Sequence, residues 1–296
     1  MYYYKFNLKY HLHNAKYIKC LGKGGYGTVK LYKCKDNHNK CKDDHNKCKD
    51  DHKCNELFVV KYLNYQDIYK KKYDKKYKDK LFKKLALNEY TIGTLLNHEY
   101  IIKTLDIDLY KNAIVFEHCN GIDFLDYIQT MSPSIEQKMY YFKQLIEGLL
   151  YMHNLGIAHM DLKLENIIID TLNNKIQIID FGHSKIFHDS LHIDTVILNK
   201  HIYGSLSYIA PEEFLEIEYN PEKVDIWSCG IILYIIIHNS FPWYKASNSD
   251  CNYKNYIKSI QHNNKFFIQY DNILNKLLNP NPTIRPQIKE VIKLLC

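Results

Sequence analysis

Arginine is nearly absent from this chain of 296 residues, because only one of its 40 basic residues, Arg285, is arginine. Long apolar runs are lacking as well. The longest one, Ile231–Ile237, is far too short to cross a bilayer, which takes about 20 residues. The first residues, Met1–Lys5, lead into a mixed polar segment without the apolar core of a secretory signal. We therefore expect neither a membrane anchor nor a secreted protein.

The net charge is +7, but lysine, asparagine, tyrosine and isoleucine are all abundant, as an AT-rich coding sequence would produce. Basicity alone is therefore weak support for a nucleic-acid partner, and the stacking-plus-basic pattern of nucleic-acid modules is missing. The apolar share of 46% and the length allow one large two-lobed domain or two ordinary ones. The odd number of cysteines, nine, favours a reducing environment, cytoplasmic or alternatively nuclear.

A seven-residue repeat interrupts the first part of the chain. The segment Cys34–Lys40 recurs as Cys41–Lys47 and again, truncated, as Cys48–Cys54. One interpretation is a metal site built from cysteine and histidine ligands. The other is a repeat expansion in a solvated loop, which we favour because no paired Cys-x-x-Cys knuckles occur. We expect a low-complexity insert over residues 34–56.

The stretch His159–Gly182 contains the most informative pattern. Two β-branched runs flank the turn Thr171–Asn174, which predicts a small hairpin. Asp161, Asn166 and Asp180 stand around this hairpin, and their oxygen atoms suit a hydroxyl nucleophile and Mg²⁺. The alternative is two unrelated acidic turns.

The residue pattern of this stretch resembles the catalytic motifs of protein kinases. His159–Asn166 matches the pattern H-R-D-x-x-x-x-N in all but its second residue, and Asp180-Phe181-Gly182 is the D-F-G motif. Gly22–Val29 matches G-x-G-x-x-G-x-V, whose glycines let the backbone approach phosphates closely. Ala210-Pro211-Glu212 matches A-P-E, and Lys163 is typical of the serine/threonine type. The resemblance covers residues 15–294. Within the loop, the residues Leu162–Asn166 favour the calcium/calmodulin-dependent group of kinases.

The resemblance implies an α+β fold with two lobes. A small β-rich N-lobe with the family's helix αC would occupy residues 15–116, and a hinge would follow at 117–121. A larger, mainly helical C-lobe would occupy residues 122–294. The repeat insert at 34–56 would lie within the N-lobe.

The resemblance also implies the activity, a transfer of the γ-phosphoryl group of Mg-ATP to serine and threonine hydroxyls of protein substrates. Asp161 would accept the hydroxyl proton, Lys163 would stabilise the transferring group, and Asn166 and Asp180 would hold Mg²⁺. Glu89 would orient Lys61. The residues expected at ATP are Gly22, Lys23, Gly24, Gly25, Tyr26, Gly27, Val29, Lys61, Glu117, Cys119 and Asp123.

Two residues depart from the family pattern. Met160 replaces an arginine, so no guanidinium is available there to bind a phosphate on the activation loop. Gly93, four residues after Glu89, replaces a bulky apolar residue, which would loosen helix αC and make its position depend on a regulatory protein. These departures keep open a pseudokinase or scaffold that binds nucleotide with little phosphotransfer. A small-molecule kinase is disfavoured by the peptide-docking segment that ends at Glu212.

The single arginine gives an independent test of the resemblance. A chain that drifts from arginine to lysine is expected to keep arginine where a planar, bidentate donor matters. Arg285 stands where the family's arginine pairs with the glutamate of A-P-E. We therefore predict an ion pair between Arg285 and Glu212.

Overall fold

A computed structural model of the chain was analysed. The residues it describes are 15–24, 27–34, 57–63, 75–189, 192–196, 198–199, 205–215, 218–262 and 271–295. The Cys/His repeat beyond Cys34, together with Gly25, Tyr26 and Gly204, lies outside the described residues. The described residues up to Asn97 form one compact unit with Ile102–Cys119, and His98–Ile101 form a second unit with those from Asn120 onward.

The first unit is built on an antiparallel sheet with the strand order β1-β2-β3-β5-β4. Its strands are Ala15–Gly24 (β1), Gly27–Cys34 (β2), Leu57–Leu63 (β3), Thr104–Asp108 (β4) and Ala113–Glu117 (β5). Phe58 and Val60 on β3 pack with Ala113 and Val115 on β5, and all four are buried. Because side chains alternate along a strand, this cluster occupies one face of β3, and Lys61 belongs to the other.

One helix, Lys75–Leu95 (α1), packs on β4 and β5 of this sheet. Ala86, Glu89 and Ile92 recur at intervals of three residues and are buried, which defines the packed face. Leu95, at the last turn of the helix, is 53% exposed and lies off this face.

The second unit is mainly helical. Its helices are Phe124–Met131 (α2), Ile135–Asn154 (α3), Pro221–His238 (α4), Cys251–Gln261 (α5), Asp271–Leu277 (α6) and Ile288–Leu295 (α7). Its strands are Ile122–Asp123 (β6), Ile157–Ala158 (β7), Ile167–Asp170 (β8), Lys175–Ile178 (β9), Lys185–Ile186 (β10), His188–Asp189 (β11) and His192–Val196 (β12). The predicted hairpin is confirmed, because β8 and β9 pair antiparallel with Ile167 opposite Ile178.

Helix starts follow local chemistry. Ser134 and Gln137 form a capping box before α3, in which each side chain accepts a hydrogen bond from the other residue's backbone N–H. The apolar helix α4 begins with proline at Pro221, after an Asn220 cap whose side chain accepts from the Glu222 N–H.

The core of the second unit surrounds α4, a helix on which residues facing nearly every direction are buried. A helix that is apolar all round belongs in the middle of a domain. Within the described residues, none of the helices combines the length and the apolar character needed to span a membrane.

Candidate active site

A buried ion pair joins β3 to α1 in the first unit. Lys61 Nζ lies 2.7 Å from Glu89 Oε1, and the two side chains are 9% and 0% exposed. Burying either charge alone would cost several kcal/mol, so the two groups depend on each other for their charged forms. The pairing of Lys61 with Glu89 predicted from the sequence is confirmed.

The glycine-rich turn connects β1 and β2. Gly24 lies opposite Gly27, and Gly22 lies opposite Val29, which in turn lies opposite Lys61 on β3. A Cβ atom at Gly27 would sit 2.2 Å from the carbonyl oxygen of Tyr62, so only glycine lets β2 approach β3 this closely. At Gly22, Gly24 and Gly27 the facing ends of β1 and β2 therefore present backbone rather than side chains.

The structure shows where the three residues predicted to contact adenosine lie. Glu117 is the last residue of β5, and its N–H donates to the Lys103 carbonyl at 3.0 Å. Cys119 is half-buried at the end of the first unit. Asp123 caps α2, accepting from the Asp126 N–H at 2.9 Å, and its pKa is raised chiefly by burial. Their contacts with ATP stay predictions.

Three side chains of the predicted catalytic set meet in the second unit. Lys163 Nζ lies 3.0 Å from Asp161 Oδ2. The Asn166 amide donates to the Asp161 carbonyl at 2.8 Å and to its Oδ2 at 3.2 Å. Asp161 is 6% exposed. The carboxylate is thus held by two donors in one orientation.

His159 fixes the backbone just before Asp161. Its Nε2 lies 3.0 Å from the Ile179 carbonyl oxygen, and its Nδ1 lies 3.3 Å from the Asp161 amide nitrogen. A carbonyl oxygen only accepts, so Nε2 carries the proton, and Nδ1 is then free to accept the Asp161 N–H. The neutral imidazole with its proton on Nε2 satisfies both contacts.

Asp225 anchors the same loop, and sequence reasoning did not find this role. Its Oδ2 accepts from the His159 N–H at 2.8 Å, and its Oδ1 accepts from the Met160 N–H at 2.9 Å. His153 Nε2 lies 2.8 Å from Oδ2. The sequence feature that could have revealed this role is the single carboxylate at the start of the apolar run in α4. A buried carboxylate is costly unless it accepts several hydrogen bonds.

Met160 has a role beyond the missing guanidinium. Its φ is +68°, a left-handed conformation, and its side chain is packed in the core at 2% exposure. Such a conformation costs roughly 1–2 kcal/mol for a residue with a Cβ. The hydrogen bond to Asp225 offsets part of this cost, and it positions the following residue, Asp161.

Asn166 and Asp180 provide oxygen donors that suit a divalent cation. The Asn166 carbonyl accepts from the Ile179 N–H at 3.0 Å, which brings Asn166 close to the D-F-G motif. Both bonds of the Asn166 side chain are made by its amide nitrogen, so its Oδ1 keeps its lone pairs among the described residues. Asp180 Oδ1 accepts from the Gly182 N–H at 3.3 Å. An amide oxygen and a carboxylate are ligands that Mg²⁺ accepts.

The segment before A-P-E contacts the catalytic loop. Lys163 Nζ donates to Ser205 Oγ at 3.4 Å. The Tyr208 hydroxyl lies 3.5 Å from both the Leu164 amide nitrogen and Glu165 Oε2. A serine hydroxyl therefore lies at the lysine that contacts Asp161.

The single arginine makes the predicted ion pair. The two Arg285 nitrogens Nη1 and Nη2 donate to Glu212 Oε1 and Oε2 at 2.6 and 2.7 Å. The guanidinium also lies over the ring of Trp227, 4.8 Å from its centroid. This bidentate contact is one that lysine cannot reproduce.

Comparison with known proteins agrees with this geometry. The family model described as "Protein kinase domain" matches residues 15–294. The chain is 30% identical to serine/threonine-protein kinase HAL4/SAT4 of Saccharomyces cerevisiae over 94% of its own length and 45% of that protein. It is 37% identical to serine/threonine-protein kinase ppk8 of Schizosaccharomyces pombe over 57% of its length and 33% of that protein.

A plant relative covers a larger share of both sequences. Serine/threonine-protein kinase SRK2J of Arabidopsis thaliana is 29% identical over 93% of this chain and 73% of the plant protein. The chain spans between a third and a half of the two fungal relatives. The match over 15–294, the paired Lys61 and Glu89, and the assembled catalytic loop lead to one conclusion. The chain belongs to the protein kinase family.

Proposed function

We propose that the chain is an active serine/threonine protein kinase that transfers the γ-phosphoryl group of ATP to protein hydroxyls. The observation that carries this proposal is the linked set Asp161, Lys163 and Asn166, held by direct hydrogen bonds in the second unit. A pseudokinase that only binds nucleotide has no need to keep a base, a cation and a metal-ligand amide in contact. Family membership supports the same activity.

Each member of the set has a distinct task. Asp161 accepts the proton of the substrate hydroxyl as that oxygen becomes the nucleophile. Lys163, 3.0 Å from Asp161, places a positive charge where the transferring group develops negative charge. Ser205 steadies Lys163 through its hydroxyl.

Mg²⁺ would be held by Asn166 Oδ1 and the Asp180 carboxylate. When bound, this ion neutralises phosphate charge during phosphoryl transfer. The chain contributes by orienting both ligands, Asn166 through its amide hydrogen bonds and Asp180 through the Gly182 N–H.

ATP contacts in the first unit are assigned to backbone and to one cation. The backbone from Gly22 to Gly27 covers the phosphates, and Lys61 neutralises the α- and β-phosphates while Glu89 holds it in place. The geometry of the Lys61–Glu89 pair supports this assignment. Glu117 and Cys119 are assigned to the adenosine, and so is Asp123, which belongs to the second unit.

Control of the enzyme is assigned to helix α1. Gly93 is a buried glycine within this helix, and a helix-interior glycine costs about 1 kcal/mol relative to alanine. With Met160 in place of arginine, a phosphate on the activation loop has no guanidinium at that position to bind. We therefore infer that a regulatory protein acts on α1. Gly93→Leu should raise the basal phosphorylation rate. Membership of the calcium/calmodulin-dependent group remains a hypothesis from the wording of Leu162–Asn166.

A peptide-library assay tests the proposed activity. Purified full-length chain is incubated with Mg-ATP labelled at the γ-phosphate and with matched peptide pools that contain serine, threonine, tyrosine or no hydroxyl acceptor. Label in the serine and threonine pools, absent with the Asp180→Asn variant, is the expected result. Binding of ATP with no label in any pool would identify a pseudokinase instead.

A further inference from the structure

Hydrogen bonds join two stretches of chain that flank the segment 205–215 in sequence. Asn199 precedes this segment and Tyr219 follows it, and each donates its backbone N–H to the other's carbonyl oxygen at 2.9 Å. Their side chains meet as well, because the Asn199 amide nitrogen lies 2.9 Å from the Tyr219 hydroxyl. The two flanking stretches are therefore fixed to each other at Asn199 and Tyr219.

The Tyr219 hydroxyl extends this contact into the segment itself. It donates to Glu213 Oε2 at 3.3 Å. A hydroxyl has only one proton, so in the contact with Asn199 the amide N–H is the donor and the hydroxyl accepts. Tyr219 and Glu213 are 4% and 1% exposed, so bulk water cannot easily replace either bond. One buried oxygen atom thus joins Asn199 to Glu213.

Glu213 in turn fixes the backbone of the A-P-E motif. Its Oε1 accepts the Ala210 N–H at 3.0 Å, and its own N–H donates to the Ala210 carbonyl at 3.1 Å. Two residues before Ala210, the Tyr208 hydroxyl contacts the catalytic loop, and the Tyr208 N–H donates to the Ser205 carbonyl at 2.9 Å. Ser205 itself contacts Lys163. A short, hydrogen-bonded stretch of chain therefore connects Glu213 with the catalytic lysine.

Helix α4 supports both the catalytic loop and this segment. Tyr219 directly precedes Asn220, the cap of the helix, so its backbone is fixed at the start of α4. Asp225 in the same helix accepts two backbone N–H groups of the catalytic loop. The loop and the segment 205–215 are thus held to one helix, the first through Asp225 and the second through Tyr219.

We propose that Tyr219 is a positioning residue for peptide phosphorylation. Its hydroxyl holds the segment 205–215 at the catalytic loop, so that a peptide hydroxyl meets Asp161 without a phosphate to order this segment. Met160 offers no guanidinium to such a phosphate, so another contact has to do this work. A hydrogen bond to a buried carboxylate is among the stronger ones, which suits that task. This role rests on the proposed kinase activity.

Tyr219→Phe tests the proposal, because it keeps the ring and removes only the hydroxyl. The substrate is a serine peptide from the acceptor pool. We expect kcat/KM for this peptide to fall about tenfold or more, because a hydrogen bond to a charged group is lost, while KM for ATP changes by less than about twofold. Phosphatase treatment of the wild type should leave its kcat/KM unchanged. Wild-type kcat/KM in Tyr219→Phe, or a phosphatase-treated wild type as slow as this variant, would overturn the proposal.

Tyr256→Phe separates positioning from a general loss of stability. Tyr256 is also buried in the second unit, and its hydroxyl donates to the Leu278 carbonyl at 2.8 Å. Both variants should lower the midpoint of urea unfolding, because each loses the hydrogen bond of a buried hydroxyl. Only Tyr219→Phe should lower kcat/KM per folded enzyme. An equal loss of kcat/KM in the two variants would assign the effect to stability and refute the positioning role.

Asn199→Ala tests the other end of the link. It removes the amide that donates to the Tyr219 hydroxyl and keeps the backbone, so kcat/KM for the peptide should fall about threefold to tenfold, as for a neutral hydrogen bond. The double variant with Tyr219→Phe should lose less than the product of the two factors, because both changes break one chain of contacts. Fully multiplicative losses would show that the two residues act separately and would refute the link.

Peptide binding distinguishes failure of this proposal from failure of the proposed function. The dissociation constant of a fluorescent copy of the serine peptide is measured by anisotropy for the wild type and for Tyr219→Phe. If the wild type transfers no phosphate to any pool, the proposed kinase activity fails and the binding data alone decide. A dissociation constant raised about threefold or more in Tyr219→Phe would then keep the positioning role, and an unchanged one would refute it.

Discussion

Replacing the only arginine by lysine probes how far this chain depends on a planar donor. In Arg285→Lys the charge is kept, but one ammonium cannot donate side by side to both Glu212 oxygens. The guanidinium also donates to the carbonyls of Asn279 and Lys223 at 2.8 and 2.9 Å. A lysine amine can replace only part of this set, because its donors all leave from one nitrogen.

The size of the effect follows from burial. Arg285 is 2% exposed and Glu212 is 4% exposed. Removing one partner of a buried ion pair costs about 3–5 kcal/mol, and each lost hydrogen bond to a charged group costs about 1.5–3 kcal/mol. Because lysine keeps the charge, we expect Arg285→Lys to lower the free energy of unfolding by about 2–4 kcal/mol.

Urea unfolding of purified protein measures this difference. The midpoint should fall in Arg285→Lys and in Glu212→Gln, and the double variant should lose less than the sum, because the two residues share one interaction. Lys293→Arg, at an exposed position of α7, is the control and should change the free energy of unfolding by less than about 0.5 kcal/mol. A change that small in Arg285→Lys would refute the reasoning that this arginine persists for its geometry.

Three further tests concern Gly27, Ser205 and Asp123. Gly27→Ala should lower the free energy of unfolding by about 1–3 kcal/mol, because its Cβ would meet the Tyr62 carbonyl. Gly22→Ala is the control. It should be nearly neutral in the same urea assay, because nothing lies within 4 Å of its Cβ. Ser205→Ala should reduce kcat for peptide by about tenfold or more through loss of the contact to Lys163. Thr195 stands between the D-F-G and A-P-E motifs in the sequence, and because Met160 leaves no guanidinium for a phosphate on that segment, Thr195→Ala should keep most activity. Equal rates in the two variants would contradict this. Burial raises the pKa of Asp123, so the folded state holds this proton more tightly, and the side chain's contribution to stability falls as pH rises through the raised pKa. Asp123→Asn keeps the helix cap, so its thermal midpoint should match that of the wild type near pH 3 and should equal or exceed it at pH 7. Asp123→Ala loses the cap and should be about 1 kcal/mol less stable at both pH values. A lower thermal midpoint of Asp123→Asn at pH 7 would contradict the burial argument.

Local chemistry made part of the site predictable. The β-branched runs around Thr171–Asn174 specify a hairpin, and the capping box at Ser134 specifies a helix start, because each depends on residues close in sequence. The pairs of Lys61 with Glu89 and Arg285 with Glu212 join distant residues. They were predictable because the motifs of a known family place these residues together and because Arg285 is the only arginine.

The anchoring of the catalytic loop was not predictable in the same way. Asp225 accepts from Met160 across 65 residues of sequence, and nothing local to either residue indicates the contact. The left-handed conformation of Met160 is equally hidden, since methionine has no preference for it and tertiary hydrogen bonds hold it there.

The most direct test of the central claim compares wild type with Asp161→Asn. At saturating Mg-ATP and a serine peptide, kcat should fall by a factor of about 10² to 10⁴, as expected when a general base is lost, while the dissociation constant of ATP changes little. The folded fraction of each protein is checked by urea unfolding. Turnover near the wild-type rate in Asp161→Asn would contradict the assignment of Asp161 as the base, and with it the account of this chain as a protein kinase that works through this loop.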